Sequence, residues 1–304
     1  MTEPTAEVPL ITVAICTRNR AAMLDDAARS VLAQVRDNTE LLLVDNGSPD
    51  GTPGVTAGRA AQPAGVSVWR EPQPGISSAR NAALKRARGR YVLFFDDDQF
   101  AGEGWLAAYQ RFLSPPPTER LAGVGGAVLP RFEAPPPAWL HEGYFVMDFG
   151  PVARPLTGVA APGCGNCAYH RERALAVGGF NTALERYEES DLSARLRVAG
   201  WEIWALPGAP IHHRIPPDRM RLRWLLGAAF ADGRAGARMR LGNTSTGWRW
   251  GRLLLAPAHG MLLLLAAAVT VPVRHGQLAA RLLQRAARVA GHATELLAVS
   301  GGTK

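Results

Sequence analysis

Tyr91-Val92-Leu93-Phe94-Phe95-Asp96-Asp97-Asp98 is the stretch on which the reading of this chain turns. Five apolar residues in a row, three of them aromatic, predict a strand buried on both faces. Three carboxylates follow at once. A core does not accept three adjacent unpaired aspartates, so they must stand at the open end of the strand. In a parallel α/β sheet, ligands bind in the crevice outside the carboxyl ends of the strands. Clustered hard oxygens there suit Mg²⁺ or Mn²⁺ held together with a diphosphate. The plainer alternative is an acidic turn that caps the following helix.

The neighbouring segments repeat the pattern. Leu10–Cys16 is apolar and β-branched and predicts a first strand, ended by Thr17-Arg18-Asn19-Arg20. A helix is expected over Ala21–Val35. Glu40–Val44 predicts a second buried strand, which also ends in an acid and turn residues, Asp45-Asn46-Gly47-Ser48. Val66–Trp69 reads as a short third strand. Pro74-Gly75-Ile76 leads into Ser77, the expected N-cap of a helix running to about Ala87. Strands alternating with helices predict a mostly parallel sheet. Three successive strand ends then bring Thr17, Asp45 and Asp96–Asp98 to one rim, as a nucleotide site requires. No Gly-x-Gly-x-x-Gly follows the first strand, which argues against a dinucleotide-binding fold.

Downstream, Gly125–Val128 reads as a short strand. It is bracketed by Pro115–Pro117 and Pro135–Pro137, so residues 114–160 are expected to be loop-rich, the setting of lids and acceptor-site walls. Then come Gly163-Cys164-Gly165-Asn166, Gly178-Gly179-Phe180-Asn181, and Glu188-Glu189-Ser190-Asp191-Leu192 opening a helix. Ile211-His212-His213-Arg214 follows later. Glu188, Glu189 and Asp191 are close enough to raise one another's pKa, which makes a carboxylate a better general base near neutral pH.

Composition narrows the class. The chain has 304 residues, 47% hydrophobic and 20% charged, which fits a globular protein with a substantial core. Its three cysteines, Cys16, Cys164 and Cys167, form no disulfide framework, and Cys164/Cys167 lack the second pair a zinc site needs. Met1–Pro9 has no Lys or Arg and no apolar run, so a secretory leader is not expected. Residues 216–304 carry 13 Lys/Arg against 3 Asp/Glu, whereas residues 1–215 carry 21 against 23. All the excess positive charge therefore lies in the last third. Residues 219–240 predict a basic amphipathic helix, and 277–299 set Arg281, Arg285 and Arg288 on one helical face. Leu253–Val273 is an almost wholly apolar run of about 21 residues, interrupted by Pro257, His259 and Pro272; it is long enough to span or enter a bilayer, the alternatives being an interfacial hairpin and a soluble core. The expectation is a membrane surface as partner rather than nucleic acid, because aromatics are not interleaved with the charges of the tail.

Ile15-Cys16-Thr17-Arg18-Asn19-Arg20, Val44-Asp45-Asn46-Gly47-Ser48, Gly75-Ile76-Ser77-Ser78-Ala79-Arg80-Asn81 and Phe95-Asp96-Asp97-Asp98, in this order, resemble the family 2 glycosyltransferases. The Gly/Asn turn, Gly-Gly-Phe and the acidic helix opening are similar to the acceptor half of that family. The resemblance covers about residues 9–215. It implies a GT-A α/β catalytic domain with a mostly parallel central sheet flanked by helices, its nucleotide-sugar half at 9–100 and its acceptor half at 101–215. Residues 1–8 are expected to be a disordered N-terminus, and 216–304 a helical membrane-associating region. It implies an inverting transfer from a nucleotide-diphosphate sugar to a polysaccharide or lipid-linked glycan. The chain would act at the cytoplasmic face of the inner membrane. Thr17, Arg18, Asn19, Arg20, Asp45, Asn46, Gly47, Ser48, Gly75, Arg80, Asn81, Asp96 and Asp97 would line the donor site. Thr17 and Asp45 would meet the base, an Asp favouring the ring N–H of uracil or thymine, hence a UDP- or dTDP-sugar. Asp98, with Asp96 and one of His212 and His213, would hold Mn²⁺ or Mg²⁺. Glu188, Glu189 or Asp191 would supply the base. Family members often carry Asp at the position of Glu189, so the choice stays between Glu189 and Asp191, with the lean to Asp191. The alternative is a catalytically degenerate, membrane-bound scaffold or sugar-nucleotide-binding protein of the same fold.

Overall fold

The computed structural model describes residues 8–36, 38–60, 65–158, 160–163, 165–241, 262 and 276–301. The chain divides into two compact units, one of residues 1–130 and 146–214, the other of residues 131–145 and 215–304.

In the first unit the elements run β1 (Ile11–Thr17), α1 (Ala21–Leu32), β2 (Thr39–Asp45), α2 (Thr52–Ala60), β3 (Val66–Arg70), α3 (Ile76–Arg86) and β4 (Tyr91–Asp96). They continue with β5 (Gln99–Ala101), α4 (Trp105–Leu113), β6 (Leu121–Gly125) and β7, which starts at Val128. After a loop come β8 (Arg154–Pro155), β9 (Cys167–His170), α5 (Arg171–Ala176), α6 (Glu188–Val198), β10 (Glu202–Ala205) and β11, which starts at Ile211. The main sheet has the order β3-β2-β1-β4-β9-β6-β10-β8, and a small sheet has the order β5-β11-β7.

The strands β3, β2, β1 and β4 are parallel, with Cys16 opposite Val44 on one side and Asp96 on the other. That register brings Thr17, Asp45 and Asp96 to the same rim. Beyond β4 the sheet is mixed: β9 runs antiparallel to both β4 and β6, and β10 is parallel to β6 but antiparallel to β8. The predicted parallel sheet is thus found in the first half only. An antiparallel neighbour needs no crossover helix, so strand–helix alternation does not announce β9.

Alternation along β1 sends Ile11, Val13 and Ile15 to one face, packed with α1 and α4, and Ala14 and Cys16 to the other, packed with α3 and α6. Both faces are therefore covered, and the β4 run is buried as predicted. Phe95 meets Trp105 edge-on at 5.1 Å, and Phe94 meets Phe180 at 5.2 Å. Each such aromatic contributes about 2–3 kcal/mol of burial and fixes where β4 ends.

Three local expectations are corrected. The helix after Pro74 is capped by Gly75 at φ 120°, not by Ser77, whose hydroxyl donates to the Leu184 carbonyl at 3.3 Å. Helix α1 stops at Leu32 rather than Val35. The predicted 125–128 strand is a junction: β6 ends at Gly125 and β7 begins at Val128, with the Gly126 N–H bonded to the Asn166 carbonyl and to the Tyr109 hydroxyl.

In the second unit, Leu140, Ile215, Met220 and Leu225 form a small core with Phe132, Trp139 and Phe145. Helices α7 (Leu222–Leu241) and α8 (Gly276–Gly301) pack closely: a Cβ on Gly233 would lie 2.0 Å from the Arg288 carbonyl, and one on Gly291 2.0 Å from that of Phe230. Buried Glu295 accepts from both Arg234 and Arg238. Among the described residues no helix is long and apolar enough to cross a membrane. The apolar run 253–273 lies outside the described residues, apart from Leu262.

Candidate active site

The C-terminal rim of the first four strands carries the residues expected from the sequence to line the donor site. At the end of β1, Thr17 donates to Asp97 Oδ2 at 2.7 Å. The loop that follows is fixed by its backbone: Asn19 sits at φ 56° and donates its N–H to Ser48 Oγ at 3.0 Å, and the Arg20 N–H reaches Thr52 Oγ1 at 3.2 Å. Arg18 is exposed on this rim. Arg20 Nη1 bonds Asp97 Oδ1 at 2.8 Å and Asp98 Oδ2 at 3.1 Å.

At the end of β2, Asp45 is buried, and its Oδ1 accepts the Ser48 N–H at 3.0 Å across the turn at Gly47. Its Oδ2 is buried with no hydrogen-bond partner; Arg70 Nε is 3.9 Å away. Asn46 donates to the carbonyls of Glu71 and Gln73 and accepts the Gly75 N–H, so its amide holds the 71–75 loop. Asn81, grouped with the donor-binding residues from the sequence, is instead bonded through both amide atoms to the backbone of Phe180. It braces the Gly-Gly-Phe turn.

The three β4 carboxylates separate. Asp97 and Asp98 are 5% and 8% exposed, while the Asp96 side chain is one-third open, with Arg80 Nη2 3.3 Å from its Oδ1 and Gln99 Nε2 3.4 Å from Oδ2. Burial raises Asp96 to about 6, against the pull of Arg80. Gly165, at φ 122°, closes this side: a Cβ there would stand 2.6 Å from Asp96 Oδ2. Of the two histidines, only His213 arrives. Strand β11 pairs it with Gln99 and places Nε2 3.4 Å from Asp98 Oδ1. His212, its neighbour on the strand, is turned to the other face.

The carboxylates expected from the sequence on the acceptor side open α6. Glu188 is buried and ion-paired with Arg80, the same guanidinium that reaches Asp96. Asp191 is held by Arg195 at 2.7 Å, which also bonds the carbonyls of Val177 and Gly179. Glu189 is half-buried. Burial, reinforced by the adjacent Glu188 charge, pushes it up to about 7. Its carbonyl, rather than its carboxylate, receives Tyr169 at 3.3 Å. Sequence reasoning did not find three supports of this site. They are the Arg20 bridge, the Arg195 clamp and buried Asn166. The Asn166 amide takes Trp105 at 2.7 Å and gives to the Ala127 and Ala209 carbonyls at 2.8 Å. The Gly165-Asn166 pair was visible as a turn, but only the fold shows what it touches.

Among the described residues no three His, Cys, Asp or Glu side chains converge as a ready-made metal cage. The donor set nonetheless fits a hard divalent cation. Buried Asp97 and Asp98 already hold one positive group, the Arg20 guanidinium, and His213 lies against Asp98.

The rim, the carboxylate triplet and the acidic helix opening belong to one α/β unit. The family model for "Glycosyl transferase family 2" matches residues 12–175, just over half of the chain. The chain belongs to glycosyl transferase family 2 and is by class a glycosyltransferase. It is 30% identical over 118 residues to the glycosyltransferase EpsJ of Bacillus subtilis (strain 168), covering 39% of this chain and 33% of that protein. It is 36% identical over 91 residues to the putative teichuronic acid biosynthesis glycosyltransferase TuaG of the same organism, covering 30% of this chain and 36% of that protein. The matched stretches thus span about a third of those relatives. Among solved structures, the mannosyltransferase PcManGT from Pyrobaculum calidifontis, in complex with GDP-Man and Mn²⁺, superimposes with a TM-score of 0.58 at 16% identity. The match covers 97% of this chain and 76% of that one. The likeness is one of fold, the GT-A fold.

Proposed function

We propose that this protein transfers a sugar from a nucleoside-diphosphate donor to a hydroxyl of a glycan or lipid-linked acceptor, with inversion. The observation that carries the reading is Arg80, whose single buried guanidinium bridges the Asp96–Asp98 end of β4 to Glu188 at the head of α6. Two carboxylate groups with different tasks are thereby held on one rim. Asp98 and His213, with Asp97 or Asp96, would hold the divalent cation. When bound, that cation supplies positive charge to the leaving diphosphate. Glu189, held near pKa 7 and without an arginine clamp, is the base. It takes the acceptor hydroxyl proton as the new bond forms at the anomeric carbon, and the electron pair of the broken bond leaves with the nucleoside diphosphate. Buried Asp45 Oδ2, which receives no hydrogen bond and has only the Arg70 charge at 3.9 Å, supports a base with a ring N–H, hence a uridine or thymidine donor.

The test is thermal unfolding with UDP, dTDP, GDP and CDP, each with and without Mn²⁺. Binding to the native state raises the midpoint by mass action. A metal-dependent shift with UDP or dTDP is expected. No shift with any nucleotide would leave a scaffold of the same fold.

For the second unit we propose a seat on an anionic membrane surface. Arg281, Arg285 and Arg288 are all exposed along one side of α8, at helical spacing. Co-sedimentation of the full chain with phosphatidylglycerol vesicles should fall when the three are changed to Glu. Binding equal to wild type would remove the surface reading.

A further inference from the structure

Arg20 stands where a metal would have to stand. Its guanidinium donates to one oxygen of Asp97 and one of Asp98 through the same nitrogen, while Thr17 and His213 hold the other two oxygens. Two nearly buried carboxylates side by side need a counter-charge, and Arg20 provides it. The loop beneath is pinned at Asn19 N–H and Arg20 N–H. The side chain itself is 40% exposed, on a flexible stem. It is thus able to leave without disturbing the fold.

We propose that Arg20 is a built-in competitor for the divalent cation. It occupies the Asp97–Asp98 oxygens in the empty enzyme and yields them only when a nucleoside diphosphate offers it other oxygens. A guanidinium and a divalent ion cannot share those oxygens, because like charges a few ångströms apart in a partly buried site repel strongly. The donor diphosphate is a natural second partner for a planar, five-donor fork. Metal and donor would therefore bind with strong positive coupling, and free metal alone would bind weakly. The inference rests on the donor and metal reading given above.

Mn²⁺ titration of the full chain by calorimetry, with and without UDP, tests it in wild type, Arg20→Met and Arg20→Lys. Arg20→Met should bind Mn²⁺ alone at least tenfold more tightly than wild type. The tightening that UDP brings to wild type should shrink by a similar factor in the variant. Arg20→Lys should fall between them, since an ammonium keeps the charge but not the fork. It also carries the comparison if Arg20→Met folds poorly. Equal or weaker Mn²⁺ binding in both variants, with UDP coupling unchanged, would overturn the competition. Absence of Mn²⁺ binding in every protein, even with UDP, would overturn the metal reading itself and the inference with it.

Discussion

At the end of β4, Asp97 and Asp98 are met by Arg20 and His213; at the head of α6, Glu189 is met by another carboxylate, Glu188. In the first group an arginine and a histidine stand against the carboxylates, although burial still raises Asp97. The second is built so that one member keeps a proton up to neutral pH. Burial raises both Asp97 and Glu189; Arg20 opposes it at Asp97, whereas the Glu188 charge adds to it at Glu189. Asp191, three residues into the same helix turn, shows the third treatment: Arg195 clamps it into the framework. Residue type alone does not assign the roles; the neighbours do.

The comparison breaks most sharply at Asp98. Asp98→Ala should reduce transfer by about 10³-fold or more, because charge stabilisation of the leaving group contributes several kcal/mol. It should also abolish the Mn²⁺-dependent thermal shift with nucleotide. Product formation at wild-type rate in this variant would refute the cation assignment.

Glu189→Gln should cost about 10²–10⁴-fold in kcat, the range of a lost general base. Metal-dependent nucleotide binding should persist. In the wild type, activity should rise with pH through about 7 and then level off, because the base works only when deprotonated. The stability term has the opposite direction. A carboxyl raised on folding stabilises the native state most below its ordinary value near 4.5, and that contribution is lost as pH climbs through about 7. Glu189→Gln should remove both dependences, read by rate–pH profiles and by thermal midpoints at pH 5 and pH 8. Glu188→Gln gives a smaller effect of the same kind. It removes the like charge beside Glu189 and takes one carboxylate partner from Arg80, and both changes lower the base. The acid limb should shift to lower pH; a limb that stays in place would show that Glu188 does not act on Glu189.

How much of this was legible in the sequence follows from the physics of each part. The parallel half was readable because its strands are buried on both faces and end in turn residues, so Thr17, Asp45 and Asp96–Asp98 announced their rim. The mixed half was not. Strand β9 is four residues long, and it enters the sheet after a loop that carries no period. The pairing of His213 rather than His212 with Asp98 depends on β11 register, which shifts sides with each residue. The partners of Arg20, Arg80 and Arg195 lie at sequence separations from 4 to 108. No local pattern states which acid each arginine takes, and that choice separates the base from the clamp.

Asp191→Asn is the smallest change and the one that sharpens the comparison most. From the sequence Asp191 had the better claim to be the base. In the fold its Oδ2 is bonded by Arg195 Nε at 2.8 Å, and Arg195 continues to the carbonyls behind the Gly178-Gly179 turn. A carboxylate so paired is turned toward its partner, where an acceptor proton would have to displace the guanidinium. An i,i+4 pair at this exposure contributes about 1 kcal/mol or less. The variant should therefore lose a few degrees of thermal midpoint at most and retain transfer within about tenfold, an effect no larger than that stability difference converts to. Complete loss of transfer with an unchanged midpoint would exchange the roles. Asp191 would then be the base, freed from Arg195 when the acceptor binds, and the raised Glu189 would be its neutral neighbour.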